Sequence, residues 1–367
     1  MKLGRSMFGD DRASRGRDYG LSGTSDEHWL DRIPAAMKRA EDDGYDFVTA
    51  NETNHDSMLA MAVAASHSQN IGLQTSVTIA FPRPPMILAM EAWEIQHLSK
   101  GRLAIGLGSQ VRAHNERRFS AAWTGPAATR MREYVRCMHA IWETFQTGAK
   151  PEFMGKFYQF TLMTPHFTPG PINYPRPKIL LAAVGEAMAR AAGEVADGII
   201  PHGFMTDKYM REVVLKNVKI GLDRSGRTWE DFDISGGGFT AFGGTQAEVE
   251  ENMERLRQPI AYYGSTPAYQ DVWRLHGWDD LGQQLHTLSR QQKWEEMRSL
   301  ITDDVLETFA QTSTYEGLPK FVAEKREYAS RFNVNLPMGT PAERELAEHV
   351  MKEIRAVKRR PPVSEAS

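Results

Sequence analysis

The chain has 367 residues, 41% of them hydrophobic and 25% charged, with a formal net charge of −3. That is the composition of a globular protein with enough apolar residues for a large core, and it excludes collagen-like or disordered chains and a basic nucleic-acid binder. A single cysteine, Cys137, excludes an intramolecular disulfide and a cysteine-based zinc site, and no apolar run is long enough for a membrane helix. The first residues lack the apolar stretch of a secretory signal, so a cytoplasmic location with no membrane or nucleic-acid partner is expected. The basic clusters at Arg12, Arg15 and Arg17 and at Lys358 to Arg360 read as solvated surface.

Short apolar runs alternate with amphipathic stretches along the chain. A weak strand over 2–8 precedes a helix over 26–43, a strand over 45–50 and a helix over 57–68. A third strand covers 71–80. Prolines 82, 84 and 85 then break the pattern before a helix over 86–99. The fourth strand, 103–108, leads through Gly108, Ser109 and Gln110 into a helical segment opening with Arg112 and His114. A long helix over 127–147 is followed by a proline-rich, aromatic excursion over 148–177. Further strands are expected at 179–184, 197–202, 232–242 and 305–310, with a helix over 186–196.

Eight strands alternating with helices in a chain of this length predict an α/β fold, a TIM (β/α)8 barrel. The expected organisation is one barrel over 1–336 with insertions at 148–177 and 245–303, then a charged, Pro-containing C-terminal tail over 337–367 that frays. In such a barrel the strand C-terminal ends carry the site. Glu52 follows the second strand, either as a solvated loop carboxylate or as a group that orients a ring hydroxyl or a proton. Val184 and Gly185 run into a helix N-terminus, where free amides suit a phosphate, although Gly185 could equally serve close packing. Gly106 and Gly108 lack the third glycine of a dinucleotide fingerprint, and no histidine pair has metal-ligand spacing, so no metal is expected. His55, His114 and His202 all fall near strand ends, and the last two belong to the loops with the strongest ligand signal.

Four stretches carry a resemblance to a known family. They are Gly44-Tyr-Asp-Phe-Val-Thr-Ala-Asn-Glu-Thr53, Thr75-Ser-Val-Thr-Ile-Ala-Phe-Pro-Arg83, Gly101-Arg-Leu-Ala-Ile-Gly-Leu-Gly-Ser-Gln-Val-Arg-Ala-His114 with Glu116-Arg-Arg-Phe119, and 181–198, which ends Ala-Gly-Glu-Val-Ala-Asp-Gly. They resemble the bacterial luciferase-like TIM-barrel superfamily, and within it the F420-dependent oxidoreductases. The resemblance spans 26–310.

It implies a homodimeric barrel with the cofactor ring in its mouth and a small-molecule substrate. It also implies a non-prolyl cis peptide at Ser76–Val77 behind the ring, phosphate contacts at Ala183, Val184 and Gly185, and cofactor contacts at Gly108, Ser109, Gln110 and His114. The expected cofactor is coenzyme F420, with FMN as the alternative. The expected reaction is hydride transfer to an apolar or aromatic acceptor bearing an activated C=C, C=O or nitro group. Trp123, Phe153, Phe157, Tyr158, Phe167 and Tyr174 are candidates to line the pocket, with core packing the alternative for each one. Glu52, Gln110 and His114 are the candidate catalytic residues, and Arg112 and His202 the candidate substrate contacts. Where the family's second strand often ends in Asp-His, this chain has Glu52-Thr53, so the proton donor does not carry over. The alternatives are a reduced-FMN-dependent monooxygenase using O2 and a cofactor-binding protein without turnover.

Overall fold

The computed structural model describes residues 1–7, 28–360 and 362. The Arg12–Arg15–Arg17 cluster and the start of the helix expected from residue 26 lie outside them.

Eight parallel strands form the barrel: β1 Lys2–Ser6, β2 Phe47–Ala50, β3 Gly72–Thr75 continued by Thr78–Ile79, β4 Leu103–Gly108, β5 Lys178–Ala183, β6 Gly198–Pro201, β7 Asp233–Ile234 and β8 Arg331–Asn333. Each pairs with the next in chain order, and β8 returns to β1 with Lys2 opposite Arg331. A single parallel bridge, Ser235 to Arg331, joins β7 to β8 and closes the ring. Helices cover the outside, so both faces of a strand are buried. This is why β4, Leu-Ala-Ile-Gly-Leu-Gly, is buried throughout.

Three expectations are corrected. The run over 232–242 is not one strand. β7 stops at Ile234, and after three glycines Phe239–Gly243 pairs in parallel with Ala310–Thr314 as a separate two-stranded sheet. The expected eighth strand at 305–310 is the helix Asp303–Phe309, and the true β8 lies at Arg331–Asn333. The excursion between β7 and β8 therefore runs over 235–330 rather than 245–303.

The segment expected to fray carries the helix Pro341–Ala356. Thr340 and Glu343 cap it reciprocally, and Val350, Met351 and Ile354 are buried. Arg359 is not simply solvated: it donates to the carbonyls of Tyr328, Trp229 and Phe232. Among the described residues, no helix is long and apolar enough to cross a membrane.

Candidate active site

Because the strands are parallel, Glu52, Ser76, Val77, Gly108–Gln110, Ala183–Gly185 and His202 all stand at one end of the barrel. The barrel mouth is shaped by the break in β3. The Ser76–Val77 peptide is cis, in accord with the resemblance. Ser76 N–H donates to Ala50 O at 2.7 Å, and Ala80 N–H to Gly108 O at 2.9 Å, so the bulge is tied to both neighbouring strands. Val77 turns its side chain over β4. A Cβ on Gly108 would lie 2.7 Å from Val77 Cγ2, and one on Gly106 would lie 2.6 Å from Ile200 Cδ1. The two glycines of β4 are therefore there for close approach, which a methyl group would prevent.

Glu52 is neither a solvated loop carboxylate nor an unengaged acid. Its side chain is 7% exposed and pairs with Arg83 at 2.8 Å. Its second oxygen accepts from Ser57 Oγ at 2.9 Å and from Ile79 N–H at 3.2 Å. Arg83 in turn donates to Ile79 O at 2.9 Å and to Asp56 at 2.6 Å. The ion pair thus holds both polar groups of the Ile79 peptide, directly after the bulge and in register with Gly108. Next along the chain, Phe81 lies under the Arg130 guanidinium at 4.2 Å and meets Trp123 edge-on at 5.7 Å.

The loop after β4 is held from below. Gln110 has φ +56°, a left-handed conformation that non-glycine residues rarely adopt. Its side-chain oxygen accepts from Val111 N–H at 2.8 Å. Asn115, 0% exposed, donates to Ser109 O at 2.9 Å and to Val111 O at 3.1 Å, bracketing Gln110. Sequence reasoning missed Asn115. The available signal was a poor helix former placed inside a short helical segment. His114 and Arg112 are exposed on the first turn of the helix Arg112–Arg118, with Arg112 paired to Glu116 at 3.0 Å.

After β5, Gly185 is the N-cap of the helix Glu186–Val195, and no side chain caps it. A Cβ on Gly185 would meet nothing within 4 Å, so close packing is not why the glycine is there. The first-turn amides have no helical partner, and the space a side chain on Gly185 would fill is empty, a combination that suits an anion. Glu186, whose charge would oppose one, is paired with Arg190 at 2.9 Å.

His202 follows β6. Phe204 N–H donates to its Nδ1 at 2.9 Å, so the proton of the neutral ring sits on Nε2. Burial pushes its pKa down to about 4, which keeps the ring neutral near pH 7. Tyr263 and Tyr269 pack on it with ring centroids at 4.7 and 4.8 Å. Both come from the long excursion before β8, and sequence reasoning did not single them out.

Of the aromatics expected to line the pocket, Tyr174 packs beside Gly101 at the opposite end of the barrel, and Phe167 is exposed. The Tyr158 hydroxyl accepts from Arg130 at 2.7 Å. His55 is stacked on Trp29 at 4.4 Å.

Comparison with known proteins agrees with this architecture. The chain is 44% identical over 285 residues to the uncharacterized protein Rv1360 of Mycobacterium tuberculosis, covering 76% of this chain and 84% of the relative. Its fold is similar to that of the coenzyme F420-dependent tetrahydromethanopterin reductase from Methanopyrus kandleri, with a TM-score of 0.66 at 20% identity, covering 89% of this chain and 95% of that one. It is also similar to the oxygenating constituent of 3,6-diketocamphane monooxygenase from Pseudomonas putida, solved in complex with FMN. There the TM-score is 0.62 at 15% identity, covering 98% of this chain and 100% of that one. Residues 15–331 match the family model described as luciferase-like monooxygenase, and the chain belongs to that family of oxidoreductases.

Proposed function

We propose that the protein is an F420-dependent oxidoreductase that moves a hydride between the deazaflavin and a small apolar or aromatic acceptor with an activated C=C, C=O or nitro group. The observation that carries this reading is the Val77 shelf: its Cγ2 methyl projects over Gly108 and its Cγ1 methyl toward Gly106 at the barrel mouth, where they can back a planar ring. The uncapped amides at Gly185, with open space beside them, fit the cofactor's phosphate.

When bound, the deazaflavin supplies a hydride at one ring carbon and reacts poorly with O2, because carbon replaces the central flavin nitrogen. The chain's own residues hold and orient. Ser76 and Val77 support the ring. Gly108 and Ser109 border it, and Ala183, Val184 and Gly185 seat the phosphate. Gln110 keeps its amide NH2 available for an acceptor oxygen, since its side-chain oxygen is already engaged. We assign substrate contact to Arg112 and His202, and proton delivery to His114, which is exposed beside the mouth. Transfer to a carbonyl adds one hydride to carbon and one proton to oxygen. Glu52 moves no proton in this reading: its two oxygens are committed to Arg83, Ser57 and Ile79, and its task is to keep the bulge in place.

A second reading, O2-dependent chemistry on reduced FMN, is favoured by the description of the matching family and by the FMN complex of the similar Pseudomonas putida protein. Fluorescence titration with F420 and FMN in parallel separates the two.

We also assign a homodimer. Leu59 on the helix Ser57–Ser66 and Ile87, Met90 and Leu98 on the adjacent helix Pro85–Leu98 are exposed apolar side chains that a second copy would cover.

A further inference from the structure

The excursion between β7 and β8 brings Tyr263, at the end of the helix Arg257–Gly264, and Tyr269, closing the turn Pro267–Tyr269, over the ring of His202. The Tyr269 ring is tilted 36° to the imidazole and that of Tyr263 lies at 72°, so the two tyrosines stand beside it as walls of different orientation. Phe239 extends the Tyr263 wall at 6.0 Å. Phe204, 0% exposed, lies beneath, stacked on Phe309 at 4.6 Å and on Tyr269 at 6.0 Å. This floor fixes the position of the Tyr269 ring.

Three polar atoms sit at the edge of this aromatic cluster: His202 Nε2 and the hydroxyls of Tyr263 and Tyr269. None has a hydrogen-bond partner among the described residues, although all three side chains are half-buried. A half-buried donor is normally satisfied by protein, water or ligand. The side chains that pack on one another here, His202, Tyr263, Tyr269, Phe204 and Phe239, carry no charge when the imidazole is neutral. The cluster is therefore aromatic, donor-bearing and free of charge.

We propose that His202, Tyr263 and Tyr269 form the substrate slot, and that it takes an uncharged, planar conjugated ketone or aldehyde whose oxygen accepts from His202 Nε2–H. An aromatic ring stacks on the walls, and a carbonyl oxygen satisfies the free donor. A carboxylate of the same shape would lose its hydration and meet no cation within the aromatic cluster, since Arg112 is exposed and already paired with Glu116. The proposal rests on the hydride-transfer reading for the fate of the ligand, but not for its binding.

The test is ligand-observed NMR with acetophenone and benzoate, on the protein alone and with F420 present. Acetophenone is expected to bind, and benzoate to bind at least about tenfold more weakly. His202→Phe and Tyr269→Ala should each weaken acetophenone about three- to tenfold while leaving F420 affinity unchanged. Tyr263→Phe, which removes only a hydroxyl, guards against misfolding of the larger truncation. Nitrogen shifts of His202 should report a proton on Nε2 alone.

Equal or preferred binding of benzoate, no acetophenone binding in either condition, or variants that bind acetophenone as the parent does would overturn the slot. Loss of the F420 reading with the acetophenone pattern intact would overturn the proposed cofactor and leave the slot standing.

Discussion

A methyl group on Gly108 would stand 2.7 Å from Val77 Cγ2, so these two residues share one space at the mouth of the barrel. Gly108→Ala should therefore displace the bulge. We expect F420 affinity to fall about five- to 150-fold with the fold retained, because overpacking of this kind costs about 1–3 kcal/mol. Gly106→Ala should do more harm, since its Cβ would press on the backbone oxygen of Thr75 as well as on Ile200. Titration and thermal melting of both variants provide the check. Unchanged affinity in Gly108→Ala would remove Val77 as the ring support.

Glu52→Gln keeps size but removes the charge facing Arg83. Arg83 retains Asp56, so the expected loss is about 1–3 kcal/mol in stability rather than unfolding. Cofactor affinity should drop because, although the amide oxygen can still accept from Ile79 N–H, its NH2 then faces the Arg83 guanidinium, which loosens the clamp on Ile79. The pH profile of turnover should keep its shape, since Glu52 is not the proton donor. A lost limb in that profile would restore Glu52 as an acid–base group.

His202 and His139 both have pKa values lowered to about 4, His202 by burial and His139 by burial and then the Arg176 guanidinium. The unfolded chain takes up protons below about pH 6.5 while the folded one does not until about pH 4. Their contribution is thus fully present above pH 6.5 and is lost as pH falls toward 4, by up to about 3 kcal/mol for His202. Denaturant melts at pH 7 and pH 4.5 should show this fall, and His202→Phe should show less of it.

Leu59→Glu and Ile87→Glu place charges on the exposed apolar faces of two neighbouring helices. If a second copy covers them, each substitution should convert a dimer to a monomer in sedimentation without loss of helical signal. A parent protein that is monomeric would contradict the assignment.

Most of the barrel was legible because buried parallel strands such as β4 and β5 are continuous apolar runs bounded by glycine or proline. β8 was not. Arg-Phe-Asn is three residues long, and its arginine points into the barrel, where it donates to Gln74 at 3.0 Å. The nearby apolar run that replaced it in the reading is a helix, and Thr302-Asp-Asp at its start was the helix signal to heed. Thr340-Pro-Ala-Glu343 likewise announced the final helix.

At the site, the glycines of β4 and the loop after β5 could be read from sequence, since strand end and helix start are local features. The partners of Glu52 come from three other elements, and Tyr263 and Tyr269 reach His202 across 61 and 67 residues of chain. Such contacts exist only in the folded barrel.

The most direct test of the central claim is the paired titration of purified protein with F420 and with FMN. The account predicts F420 binding at low-micromolar concentration or tighter, with FMN much weaker. The reverse order would contradict it and point to oxygen-dependent oxidation, and binding of neither would remove the phosphate seat at Gly185.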